Sequence, residues 1–377
     1  MNANLTWDNN TCHPDVYGYR YFGAFLGIGV TVVGTVGNLM TLLAFATDSH
    51  LRTRFNLLIL NLTVSDLIYC GFLQPVTVDT FLHFTWRQSR LMCQIFGLIL
   101  FEANAVSIFN LVLIAATRYL LISDPQRFER LYTWRTVPWV LALPWALGLA
   151  LFGPLWNIYV FLPVVCTCSF HRSRGRPYTT VLMFLMFGFG LSTIGIFYYL
   201  ISRKVRSVAK ALQQYRRDQG ADVPAKKKKQ QRVSGVPSSD SGLAPEPNPS
   251  QVTEDTSVGE QPLASVGGAE KARPSPATAS QPNQSTKKEF SKVTRMCFAM
   301  FLVYVACYFP FCILHVADGK KRAPILLHMV AGNFTWLNSC LNPVLYAVMN
   351  RQFRTAYWGV LTRGVALLTR CFRSCRT

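Results

Sequence analysis

The chain has 377 residues, 50% of them apolar and only 15% charged, and its 38 Lys and Arg against 18 Asp and Glu give a formal charge of +20. The apolar residues are gathered into long uncharged runs, which excludes an ordinary soluble globular protein. The positive excess mostly reflects membrane topology and gives no reason to expect a nucleic-acid partner.

Residues 1–20 are polar and read as an extracellular N-terminus, with N-glycosylation acceptors at Asn4 (Asn4-Leu5-Thr6) and Asn9 (Asn9-Asn10-Thr11). The triplets at Asn61, Asn283 and Asn333 fall in membrane or cytosol by the same topology and carry no weight. The first apolar run, 21–47, is too long and too late for a cleaved signal peptide and reads as the first span. Runs at 55–78, 91–117, 136–170, 177–202, 296–317 and 323–350 follow, each long enough for a helix of about 20 residues to cross the hydrocarbon core. The run 136–170 exceeds one span, but Pro154, Pro163 and the Cys166/Cys168 pair place a helix end and a loop in its second half. The count is therefore seven. Arg52, Arg54, Arg203, Lys204, Lys287, Lys288, Arg351 and Arg354 lie near the inner ends, which puts the N-terminus outside.

Polar residues within the runs mark function. Asp66, near the middle of the second span, is costly in a membrane unless it meets a cation or a wet cavity. Ser107, Asn338, Asn342 and Asn38 supply oxygen at similar depth, the ligand type a sodium ion requires, so a structural sodium ion is the one cofactor candidate and no other metal is expected. Glu102, in the third span, has no account from sequence. Four cysteines on the oxidising side, Cys12, Cys93, Cys166 and Cys168, allow two bridges in three connectivities. Cys70, Cys297, Cys307, Cys312 and Cys340 lie within spans and read as small apolar packing residues.

The remaining segments complete a division into 1–20, 21–212 (spans one to five), 213–286, 287–349 (spans six and seven) and 350–377. Segment 213–286 is rich in Ser, Pro, Gly, Gln and Lys and reads as a disordered third intracellular loop, its Lys226–Lys229 run a solvated tract. Segment 350–377 reads as a short amphipathic helix and cytoplasmic tail, with Cys371 and Cys375 as palmitoylation candidates or reduced thiols. The fold class is an all-α membrane protein, a seven-transmembrane helix bundle with an amphipathic cytoplasmic helix after the seventh span.

Gly37-Asn38, Leu62 to Asp66, Cys93, Arg118-Tyr119, Trp145, Cys307 to Pro310, Asn342-Pro343 with Tyr346, and Phe353 occur in this order across nearly the whole chain. Together they resemble the class A, rhodopsin-like, G-protein-coupled receptors. The resemblance implies a switch built of Arg118, Tyr119, Tyr198, Pro310, Pro343 and Tyr346, in which Arg118 meets a heterotrimeric G protein once helix six swings out, with Tyr198 and Tyr346 closing in behind it, followed by receptor kinases and arrestin. It favours a Cys93–Cys168 bridge, which leaves Cys12 for Cys166. This sequence departs from the family at three places: Thr117 stands where an acid usually precedes the Arg, Tyr308 replaces a customary Trp, and the fifth span lacks the usual Pro. With Phe290, not an acid, at the facing start of helix six, measurable basal signalling is expected. Phosphorylation of Ser238, Ser239 and Ser241 is expected to carry arrestin binding.

Leu51–Ile59, Pro163–Phe170, Arg174–Thr180 and Lys292–Ala299 narrow the resemblance to the family's receptors for medium-chain fatty acids, which couple to inhibitory G proteins. The residues point the same way without it. The loop after Cys168 carries Arg172, Arg174 and Arg176 and no acid, Lys320, Lys321 and Arg322 face only Asp318, and Leu100 stands where related amine receptors place an Asp. Arg172 is therefore the expected carboxylate partner with Ser169 beside it. Leu100, Phe101, Tyr308, Phe311 and Trp336 would line a slot for the tail, and Asn104, Asn333 and Tyr69 would read a hydroxyl. Each buried methylene is worth about 0.8 kcal/mol. A receptor for another anionic lipid or a nucleotide, or a non-coupling decoy, is the alternative. A transporter lacks its internal repeat, a retinal protein its Lys in 323–350, and an enzyme any metal cluster, nucleophile elbow or phosphate loop.

Overall fold

The computed structural model describes residues 10–221, 284–317 and 323–374. The chain divides into two units, Met1–Leu212 with Asn283–Thr377, and Gln213–Pro282. Of the second unit only 213–221 is described, as helix.

The first unit is built from α1 (Arg20–Thr47), α2 (Asn56–His83), α3 (Arg90–Ser123) and α4 (Val137–Phe152), then α5, α6 (Gln284–Ala317), α7 (Ile325–Met349) and α8 (Arg351–Ser374). Helix α5 is Tyr178–Phe184 continued through a π-helical turn at Leu185–Phe189 into Gly190–Ala221. Among the described residues six helices, α1 to α6, have stretches long and apolar enough to cross a membrane. The seventh, α7, has the length at 25 residues, but it buries Asn333, Asn338, Ser339 and Asn342 against the other helices. Its polar face is thus turned inward. The outward faces are apolar: Phe25 and Trp139 are more than three-quarters exposed, at 77% and 78%, as side chains that face lipid are.

Local chemistry sets the helix ends. The Ser89 hydroxyl accepts from the Met92 N–H at 3.1 Å and caps α3, and Asp124 accepts from Arg127 N–H at 2.9 Å to cap the short helix Pro125–Leu131. Helix α2 carries a π-helical turn at Tyr69–Leu73 just before Pro75, a residue that has no N–H to give the ladder. Helix α5 makes its wide turn without a Pro. There the turn runs into Gly190, where any Cβ would overlap Ile108 of α3, so close approach of two helices accompanies the bulge.

Three differences from the sequence reading follow. Helix α5 runs to Ala221 and α6 begins at Gln284, beyond the expected limits of 212 and 287, and residues 222–283 lie outside the described residues. The short helix expected after the seventh span is 24 residues long. The loop after α4 contains an antiparallel hairpin, β1 (Tyr159–Leu162) and β2 (Thr167–Phe170), pairing Tyr159 with Phe170 and Leu162 with Thr167. The residues before α1 are held down, as a Cys12–Cys166 bridge requires: Thr11 bridges Thr85, Cys12 N–H donates to Phe84 O at 3.0 Å, and His13 N–H donates to Pro163 O at 2.9 Å.

Candidate functional site

At the hairpin end, Cys93 at the start of α3 is bonded to Cys168 in β2, and Cys12 to Cys166, with Cα separations of 5.5 and 5.0 Å. The first bond pins the strand four residues ahead of Arg172 to the top of α3. Arg172 opens the turn Arg172–Gly175, capped by the His171 Nδ1, which accepts from the Arg174 N–H at 3.3 Å. The Arg172 side chain lies outside the described residues, as do Asp318, Lys320, Lys321 and Arg322. Ser169 is half-buried and pairs with Val160 across the hairpin.

The expected slot residues fall into two apolar clusters, with half-buried Leu100 bordering both. In the first, the Tyr308 hydroxyl donates to Asn104 Oδ1, and its ring stacks on Tyr304 at 4.3 Å and lies 5.4 Å from Phe187 of α5. Asn104 Nδ2 donates back to Leu100 O at 2.8 Å. This joins α3 to the α6 pivot where the family usually has a Trp. In the second cluster Trp336 meets Phe81 edge to face at 6.1 Å, Tyr69 is buried beside Thr335, and Asn333 Nδ2 donates to the Tyr19 hydroxyl at 2.6 Å. Asn333 and Trp336 therefore contact α2 and the residue preceding α1, not the Asn104–Tyr308 pair. Phe101 departs further from the expectation. Its ring packs on Phe170, Phe152 and Tyr159 at 4.8, 5.5 and 6.1 Å, in the wedge between α3, α4 and the hairpin, because its position on α3 points away from α6. Phe311 is half-buried on α6.

Deeper in the bundle, Asp66 is fully buried and its Oδ2 accepts from Asn342 Nδ2 at 2.8 Å. Its Oδ1 has no hydrogen-bond partner, and neither has the buried Oδ1 of Asn38, whose Nδ2 donates to Ser339 O at 3.0 Å. The Ser107 and Ser65 hydroxyls are 3.4 Å apart, and the Asn338 amide nitrogen is also buried without a partner. Orphaned carboxylate and amide oxygens fit a small hard monovalent cation. A metal-ligating group of three or more His, Cys, Asp or Glu is absent among the described residues.

At the end of α3 opposite Cys93, Arg118 is 5% exposed, with its guanidinium over the Phe55 ring at 3.3 Å and facing Cys297 of α6 and Tyr198 of α5. Thr117 donates its hydroxyl to Leu113 O and Ile114 O, at 2.6 and 3.1 Å, so it offers Arg118 nothing. Tyr119 lies 5.9 Å from Phe197, and Tyr346 is fully buried at 5.2 Å from the ring of Phe353. Pro310 and Pro343 interrupt the backbone ladders of α6 and α7. Tyr357 of α8 shares a 2.6 Å hydrogen bond with Thr41 of α1, and burial pushes its phenol up to about 12. The Phe290 and Cys371 side chains, Cys375, Asn4, Asn9, Ser238, Ser239 and Ser241 lie outside the described residues.

Several of these partners carried no mark in the sequence. Tyr19, Phe55 and Cys297 are ordinary apolar or aromatic residues until the fold sets them against Asn333 and Arg118. The link from Trp145 Nε1 to Asn61 Oδ1 at 2.9 Å, and from Asn61 Nδ2 to Asn110 Oδ1 at 3.0 Å, ties α4, α2 and α3 together. Its signal was present: two Asn and a Trp at helix midpoints need partners in a membrane.

Residues 37–346 match the 7 transmembrane receptor (rhodopsin family). The chain is 48% identical over 382 residues to G-protein coupled receptor 84 of Mus musculus, covering 94% of this chain and 96% of that one. It is 46% identical to the protein of the same name in Homo sapiens over 383 residues, and 46% identical to that of Bos taurus over 381 residues, each again covering 94% and 96%.

Proposed function

The chain belongs to the 7 transmembrane receptor (rhodopsin family), and from that premise we propose that it is a receptor for medium-chain fatty acids, hydroxylated ones included, coupled to inhibitory G proteins and to arrestin. Membership makes it a receptor and not an enzyme, a multi-pass protein of the plasma membrane with a heterotrimeric G protein as partner. The ligand class, the class of G protein, the receptor kinases, the extracellular N-terminus and the structural sodium at Asp66, Ser107, Asn338 and Asn342 belong to the proposal.

The observation that carries it is the loop beginning at Cys168. It holds Arg172, Arg174 and Arg176 with no acid, and the Cys93–Cys168 bond ties its base to the top of α3, the helix that bears Asn104. An anion arriving there meets charge-assisted donors, and an alkyl chain continuing inward meets Leu100, Tyr308 and Phe311. Leu100 removes the counterion a protonated amine would need. In the sodium site the bound cation would supply the positive charge that Asp66 Oδ1 lacks, with Asn342 orienting the other carboxylate oxygen.

The test is inhibition of cyclic AMP in transfected cells across saturated and hydroxylated fatty acids of increasing length. The proposal requires a response that peaks at medium chains. Silence from well-expressed surface protein, or a response to nucleotides alone, would refute it.

A further inference from the structure

We propose that Phe55 is the positioning residue that holds Arg118 withdrawn in the resting receptor, its ring face doing for the guanidinium what the absent acid at position 117 does not. The inference rests on the reading of Arg118 as the G-protein switch.

The geometry is specific. The guanidinium carbon lies over the Phe55 ring, 3.3 Å from its centroid, and the two residues are 5% and 6% exposed. A cation over an aromatic face gains most when both are shielded from water. Thr117, the neighbour that would have to be an acid for the usual ion pair, turns its hydroxyl onto its own helix. The acids of the following loop are engaged elsewhere: Glu129 pairs with Arg54, and Asp124 caps a helix and lies 3.5 Å from Arg127.

The ring is itself held. Phe55 belongs to the apolar cluster containing Leu58 and Ile59. On either side, Asn56 N–H donates to Thr53 Oγ1 at 3.2 Å, Asn56 Nδ2 donates to Leu51 O at 3.0 Å, and Arg54 reaches Tyr132 O and Glu129 on the next inner loop. The segment before α2 is thus a fixed platform, and Phe55 is its face toward α3. Phe55 and Arg118 are also among the residues lining a cleft of about 270 Å³, with Leu121, Phe128, Val293 and Gln352. A partner that uses Arg118 must lift it off the ring. The strength of the stack therefore helps set how often the arginine is released without ligand, alongside the contacts the guanidinium already makes with Cys297 and Tyr198.

The experiment measures guanine-nucleotide exchange in membranes, without ligand and with decanoate, for wild type, Phe55→Leu, Phe55→Tyr and Arg118→Ala at matched surface expression. Phe55→Leu keeps apolar bulk and removes the ring face. It should raise ligand-free exchange by several-fold, up to about tenfold, while decanoate still drives the receptor to its full output. Phe55→Tyr should stay at the wild-type basal level, because the ring face is retained. Phe55→Met repeats the test should Phe55→Leu not reach the surface. Unchanged basal exchange in Phe55→Leu, or an equal rise in Phe55→Tyr, with Arg118→Ala silent, would overturn the assignment of Phe55 alone. Full decanoate-driven exchange in Arg118→Ala would overturn the switch reading and this inference with it.

Discussion

Glu102 gives the sharpest structural prediction, because its place is defined by a residue without a side chain. The carboxyl group of this half-buried α3 residue lies flat against Gly148 of α4. A Cβ at Gly148 would sit 2.7 Å from Oε2, 2.8 Å from Oε1 and 2.9 Å from Cδ, closer than any real methyl group can come. Oε2 is buried without a hydrogen-bond partner, so no hydrogen bond at that atom resists its displacement. Gly148→Ala should therefore push the Glu102 carboxyl aside, and because the displaced atoms are the far end of a flexible side chain the cost should fall below the about 1–3 kcal/mol of overpacking a rigid, well-filled interface. Glu102→Ala removes the obstruction, and the same Gly148→Ala change made on that background should cost almost nothing. Glu102→Gln keeps the shape and should keep the penalty. The assay is thermal denaturation of the purified receptor in detergent for the four members of the cycle plus Glu102→Gln/Gly148→Ala. A coupling of about 1 kcal/mol, toward the low end for a contacting pair, is expected. Additive effects within about 0.5 kcal/mol, the behaviour of independent sites, would refute the packing argument.

Two further outcomes follow from the site. Phe101→Leu removes a ring stacked between Phe170, Phe152 and Tyr159 and should lower the melting temperature by a few degrees, for a loss of about 1 kcal/mol. It should leave decanoate potency unchanged; a potency loss without a stability loss would put Phe101 in the slot after all. Asp66→Asn removes the charge that calls for a cation beside the unpartnered Oδ1, so agonist potency should stop responding to sodium, with choline chloride as the ionic-strength control. A wild type indifferent to sodium, or a variant as sensitive as wild type, would contradict the cation site.

What was legible in the sequence follows from what a membrane makes expensive. Charge-free runs announce spans because charge is costly there, and Asp66 announces a partner for the same reason; Asn342 supplies it. The hairpin Tyr159–Leu162 with Thr167–Phe170 was hidden because its apolar residues continue the pattern of α4. Periodicity alone does not say which neighbour a helical face meets, so Phe101 and Trp336 read as slot residues although their rings turn toward α4 and α2. The π-helical turn of α5 gave no signal, since a glycine against Ile108 stands where the expected proline is missing. Glu102 and Phe55 depend wholly on tertiary juxtaposition. No spacing rule connects residue 102 to 148, or 55 to 118.

The most direct test of the ligand proposal compares decanoate with decanamide, its uncharged amide, on wild type, Arg172→Ala and Arg172→Lys at matched surface expression, read as inhibition of cyclic AMP. A charge-assisted hydrogen bond is worth about 1.5–3 kcal/mol, which converts to a loss of about ten- to a hundredfold in potency. Decanoate should act on wild type, lose that factor on Arg172→Ala and recover part of it on Arg172→Lys, while decanamide should be weak on all three. Wild-type decanoate potency in Arg172→Ala would contradict the account.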